Sequence, residues 1–118
     1  MSKTIHILED NDELRELYGY ILADEDYNLL SFATMQAFHD HTEPLPDLYV
    51  LDVMLPDGDG LSLCKTLHDD PLTAHIPVIM VSAHKELTDI SALCPHADFL
   101  AKPFDIQNLI DKVALKLH

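Results

Sequence analysis

Residues 50–60, VLDVMLPDGDG, decide how this chain is read, because an aspartate stands inside an otherwise apolar run. Leu48 to Leu55 has the composition of a buried strand, and only Asp52 interrupts it. A lone carboxylate taken out of water costs several kcal/mol unless a cation or a donor meets it. Asp52 therefore requires a partner from elsewhere in the chain. Asp57 and Asp59 carry no such requirement: beside Pro56 and Gly58 they suit a turn and the start of a helix.

Short β-rich runs alternate with helical periodicity on both sides of this stretch. Upstream, KTIHIL (3–8) reads as a strand, and Leu14, Leu17, Tyr18, Ile21 and Leu22 mark an amphipathic helix over 11–24. YNLLSFA (27–33) reads as a second strand, followed by a short helix from Met35 to His41 with Thr34 as N-cap. The third strand spans 47–53, and a helix follows over 59–69. IPVIMVSA (76–83) is a continuous apolar run, as expected of a parallel strand covered on both faces. A weaker helical pattern occupies 84–94, a short strand 97–101, and Ile106, Leu109, Ile110, Val113 and Leu117 define a C-terminal helix. Five strand–helix repeats predict an α/β fold, (βα)5, with a doubly wound five-stranded parallel sheet. The 118 residues suit a single domain, 1–118, with one proper core.

The polar residues that break the strand pattern all fall at the carboxyl ends of strands. Glu9 and Asp10 end the first, Asp52 the third and Ser82 the fourth, while Lys102 follows the fifth. In open α/β sheets that edge is where ligands bind. Carboxylates crowded together resist joint ionisation unless a cation joins them, and an oxygen-only cluster suits Mg²⁺ or Mn²⁺. An ammonium from Lys102 and a hydroxyl from Ser82 would complete what phosphoryl transfer needs, with Asp52 as the acceptor. Individually, Asp10 could instead cap the first helix with Glu13, and Lys102 could be a surface lysine. It is the convergence on one edge that carries the argument.

Composition narrows the classes further. A formal charge of −14, from 21 acids against 7 bases, argues against direct nucleic-acid binding and against an anionic membrane surface. No apolar run is long enough to span a bilayer and no signal peptide opens the chain, so the expected location is cytoplasmic. Cys64 and Cys94 lack CxxC spacing and read as buried thiols of a reducing compartment. DGDG (57–60) lacks the closing glutamate of a calcium loop, and the eight histidines are scattered, with His39 and His41 the one close pair.

HILEDN (6–11), VLDVMLPDGDGL (50–61), PVIMVSA (77–83) and FLAKPF (99–104) together resemble the receiver domain of bacterial two-component response regulators, over essentially the whole chain. The resemblance implies a flavodoxin-like receiver fold with strand order 2-1-3-4-5. It implies that Asp52 accepts a phosphoryl group from a sensor histidine kinase or a phosphotransfer protein. Asp10 would ligate Mg²⁺ (or Mn²⁺), with Glu9 assisting and Met54 supplying a backbone carbonyl. Lys102 would contact the phosphoryl group through a residue whose bond to Pro103 is cis. Ser82 and Phe99 would act as the switch pair, altering the face near the last strand and last helix, and Met54 and His84 would line the approach of water. Output would run through an effector protein or a C-terminal output domain outside this segment, the chain being either a stand-alone receiver or part of a longer regulator. Departures from the family pattern are Glu9 in place of Asp, Ser82 for Thr, Phe99 for Tyr, a shortened segment between Ser82 and Lys102, and Pro95-His96 in place of a glycine turn. Two other readings of the same residues are a phosphorylation-independent binding module and a hydrolase with an Asp52 phosphoenzyme.

Overall fold

The computed structural model describes residues 3–23, 25–41, 44–83 and 94–117. Its elements are β1 (Thr4–Leu8), α1 (Asp12–Ala23), β2 (Asn28–Phe32), α2 (Met35–Asp40), β3 (Leu48–Asp52), β4 (Met54–Leu55), β5 (Gly58–Asp59), α3 (Gly60–Asp69), β6 (Val78–Ser82), β7 (Asp98–Ala101) and α4 (Ile106–Leu117). Five of the strands form one sheet in the order β2-β1-β3-β6-β7, every neighbouring pair parallel. Counting those five alone, this is the expected order 2-1-3-4-5. The helix expected over 84–94 lies outside the described residues but for Cys94.

Strand periodicity divides the core in two, because successive side chains point to opposite faces. Ile5, Ile7, Leu48, Val50, Ile79 and Val81 pack with Tyr18, Ile21 and Leu22 of α1 and Leu109 and Val113 of α4. Leu8, Tyr49, Leu51, Val78 and Met80 pack on the opposite side with Phe38 of α2 and Leu63, Cys64 and Leu67 of α3. β3 and β6 are buried along their whole length, which is why their sequences are apolar without alternation. Each fully buried aliphatic side chain contributes about 1.5–3 kcal/mol.

Three local details differ from the sequence-based expectation. The first helix is capped by Asn11, whose Oδ1 accepts the Leu14 N–H at 2.9 Å, and not by Asp10. Residues 54–59 form a small antiparallel hairpin of β4 and β5, pairing Met54 with Asp59 and Leu55 with Gly58 around the expected turn. Cys64 and Cys94 form a disulfide, which corrects the reading of two free thiols. They are 30 residues apart, so no local motif marks the pair; α3 and the segment entering β7 meet only in three dimensions.

Candidate functional site

The parity of each strand carries past its end and decides where the polar residues point. Glu9 continues the face of Ile5 and Ile7, Asp52 that of Leu48 and Val50, and Lys102 that of Leu100, all of which belong to the α1 and α4 side of the core. Backbone bonds hold the strand ends in step: the Glu9 N–H donates to Phe32 O at 3.0 Å, Val53 N–H to Val81 O at 3.2 Å and Lys102 N–H to Ser82 O at 2.8 Å. Three charged groups from three strands thus meet at one point.

Lys102 Nζ lies 2.9 Å from Glu9 Oε1 and 3.2 Å from Asp52 Oδ2. This answers what balances Asp52, which is only 7% exposed. Glu9 is more deeply sealed, at 1%. Its Oε2 accepts the Asn11 N–H at 3.2 Å, and its backbone carbonyl accepts from Arg15 Nη1 at 2.8 Å. Arg15 is itself held by an ion pair with Asp12. Oε1 is near the ammonium but has no aligned hydrogen-bond donor.

The electrostatics follow from this crowding. Burial, with Asp52 adding repulsion and Lys102 and the Asn11 N–H opposing, pushes the Glu9 carboxyl up to about 7. For Lys102, burial works downward, but Glu9 and Asp52 outweigh it and the ammonium is held above its usual range. Tyr18 lies under the cluster, and burial together with Glu9 and Asp52 drives its phenol upward.

Carboxylate oxygens of Glu9, Asp10 and Asp52 all lie within 4.8 Å of one another. One ammonium cannot neutralise three carboxylates. An all-oxygen donor set, an exposed Asp10 and a buried carboxylate oxygen that lacks an aligned hydrogen bond fit a hard divalent cation. Because Asn11 caps α1, Asp10 is left available for such an ion.

The remaining expected residues fall as follows. Ser82 ends β6 and is buried, with its backbone carbonyl tied to Lys102. Phe99 is in β7 opposite Met80, partly buried against the α2 and α3 side of the core. The Lys102–Pro103 peptide bond is cis. Met54 opens β4 two residues beyond Asp52, and His84 lies outside the described residues. A groove of about 370 Å³, lined by Leu14, Leu17, Ala83, Lys102, Pro103 and Phe104, opens beside the cluster.

Two contacts of the segment after Asp52 escape a sequence reading. Gly60 packs directly on the Asp52 backbone: a Cβ there would stand 1.9 Å from the Asp52 carbonyl oxygen. Its N–H donates to Val53 O at 2.8 Å, so the hairpin folds back onto the strand end. Asp57, expected to be a turn residue, also accepts the Met35 and Gln36 N–H groups at 2.9 and 3.1 Å, capping α2 from across the sheet edge. The DGDG spacing signalled a turn and helix start, but nothing local signalled what the glycine or the aspartate would touch.

The chain is also similar to known proteins. Residues 5–114 match the response regulator receiver domain family. Over 116 residues, 96% of this chain, it is 37% identical to the transcriptional regulatory protein CssR of Bacillus subtilis and 32% identical to the phosphate regulon transcriptional regulatory protein PhoB of Escherichia coli. The matches cover 50% and 51% of those proteins, so the chain spans about half the length of the curated relatives it matches. Among solved structures, a response regulator from Chloroflexus aurantiacus superposes with a TM-score of 0.89 at 31% identity, covering 99% of this chain and 98% of that one.

Proposed function

Since the chain belongs to the response regulator receiver domain family, we propose that residues 1–118 form one receiver domain that is phosphorylated on Asp52. The observation that supports this most strongly is the Glu9–Lys102–Asp52 cluster with Asp10 at its rim: three carboxylates and one ammonium at the carboxyl edge of a parallel sheet.

In this reading an Asp52 carboxylate oxygen forms the new bond to phosphorus as the N–P bond of a phosphohistidine breaks, and the donor imidazole leaves with the bonding pair. Glu9, Asp10, Asp52 and the Met54 backbone carbonyl would hold Mg²⁺ (or Mn²⁺), which when bound offsets charge on the phosphoryl oxygens. The Lys102 ammonium, already 3.2 Å from Asp52, stays beside the modified side chain as a fixed cation. The Ser82 hydroxyl turns toward the added phosphoryl group, and Phe99, two strand positions before Ala101, repacks in response. The domain promotes its own phosphorylation and dephosphorylation and turns over no external substrate. Its phosphodonor is a sensor histidine kinase or a phosphotransfer protein in the cytoplasm, and its reader is an effector protein or an output domain of a longer regulator.

Intact mass after incubation with acetyl phosphate tests this directly. Wild type is expected to gain one phosphoryl group only when Mg²⁺ is present, and Asp52→Asn none. If wild type gains nothing and also fails to bind beryllofluoride, the receiver fold serves as a binding module and the phosphorylation reading is wrong.

A further inference from the structure

We propose that Cys64, Cys94 and His96 form a redox-gated binding site for one soft divalent cation such as Zn²⁺. This site is separate from the carboxylate cluster. The structure captures its closed form, in which the two sulfurs are joined.

The imidazole is already set beside both sulfurs, which must part on reduction before an ion can enter. His96 Nε2 lies 3.6 Å from Cys64 Sγ and 3.4 Å from Cys94 Sγ. With Zn–S near 2.3 Å and Zn–N near 2.0–2.1 Å, tetrahedral angles place a sulfur and a nitrogen about 3.5 Å apart. Both sulfur–nitrogen edges of such a site therefore exist before any ion enters. The Cα atoms of the cysteines are 6.9 Å apart, just beyond the usual span of a disulfide and roomy enough for an ion between the sulfurs. Both cysteines are buried and His96 is exposed, so the imidazole meets the sulfurs from the surface side, and a water would complete the four-coordinate shell. The ring of His68, one helical turn beyond Cys64 on α3, stacks on the His96 ring at 3.6 Å and fixes its orientation.

The donor chemistry separates the two sites. Thiolate and imidazole select soft or borderline ions, whereas the all-oxygen cluster at Glu9, Asp10 and Asp52 selects hard ones. Opening the site consumes two electrons and two protons from a thiol reductant, which becomes a disulfide as Cys64 and Cys94 become thiols. Entry of the ion then releases both thiol protons, leaving two thiolates and one neutral imidazole on the metal. In either state the cluster ties α3 to the segment entering β7, the strand that leads to Lys102.

The test uses the chain reduced with a phosphine, in excess Mg²⁺ to occupy carboxylate sites, and titrated with Co²⁺. The expected result is one Co²⁺ per chain with a thiolate-to-cobalt charge-transfer band, displaced by one equivalent of Zn²⁺ and absent from the oxidised chain. His96→Gln is expected to weaken Co²⁺ binding about tenfold or more, and Cys94→Ser to remove most of the band. On the unaltered chain, Zn²⁺ is expected to slow alkylation of both cysteines at least about tenfold, a readout that stands even if a variant fails to fold. The proposal is overturned if the reduced chain shows no thiolate–cobalt band, if folded His96→Gln binds as tightly as wild type, or if both cysteines alkylate equally fast with and without Zn²⁺.

Discussion

His6 and Glu9 belong to the same run of chain, on β1 and just past its end, and both are almost sealed from solvent, at 4% and 1% exposure. The fold treats them in opposite ways. Glu9 is set against an ammonium, with Asp52 as a second carboxylate on the same cation. His6 is surrounded by rings, its own edge-on to those of Phe32, His41 and Tyr49 at 5.3–5.9 Å, and its Nε2 has no hydrogen-bond partner. Burial, with His41 adding repulsion, lowers its pKa to about 4, so it packs as a neutral aromatic. A buried polar group is tolerated either by pairing its charge or by giving the charge up. Only the first solution leaves an electrostatic field that chemistry can use.

The comparison breaks most directly at Lys102. Lys102→Met leaves Glu9 and Asp52 buried without their cation, and loss of one partner from such a group typically costs about 3–5 kcal/mol. Urea denaturation at neutral pH should show that loss without divalent cations and a smaller one in Mg²⁺; equal losses in both would remove the metal from the account. Phosphoryl incorporation should fall to background in the same variant.

Gly60→Ala tests the backbone rather than the charge. The new methyl would drive into the Asp52 carbonyl, so the hairpin must move away from the strand end. A cost of roughly 1–3 kcal/mol is expected from overpacking, together with slower phosphorylation by acetyl phosphate at unchanged Mg²⁺.

His6→Phe sharpens the other half. The folded-state pKa lies near 4 and the unfolded value near 6.5. Between them the unfolded chain binds a proton that the folded chain does not, so the stability linked to His6 is complete above about 6.5 and is lost as pH falls toward 4. Phenylalanine keeps the ring and removes the proton site. The variant should gain about 1–2 kcal/mol over wild type at pH 5 relative to their difference at pH 7.5, read from paired urea curves; parallel pH profiles would contradict it.

The smallest effect belongs to Asp57→Ala, at a fully exposed carboxylate. The Met35 N–H, more than any other group, holds its pKa below the ordinary value; desolvation opposes it, and the Gln36 N–H and His39 add to the lowering. Stability from this cap is present above the unfolded pKa and disappears as pH falls through the folded one. Thermal melts should show a slight loss at pH 7 that vanishes in acid.

The residues of the site and the caps differ in how far the sequence alone reveals them. Asp52 stood out because a carboxylate inside LYVL and VML violates local pattern, and Lys102 and Glu9 followed from their places at strand ends. Thr34 was recognised as the α2 cap because capping is a contact within one turn, and its Oγ1 does accept the Ala37 N–H. Asn11, not the alternative Asp10, caps α1, because both residues suit an N-cap and one residue of register decides which reaches the helix. Gly60 falls in the first turn of the helix expected over 59–69, and His6 is one of eight scattered histidines.

What the sequence determined by itself was the order and kind of elements, the parallel sheet they imply and the set of polar residues at its carboxyl edge. Those depend on periodicity, turn chemistry and strand parity, all of which act over a few residues. The tertiary structure alone decided that Lys102 bridges Glu9 and Asp52, that Gly60 rests on Asp52, that Asp57 caps a helix 21 or more positions away, and that Cys64 meets Cys94 beside His96. Each is a contact between distant segments, set by how helices pack on the sheet, and local pattern carries no record of that packing.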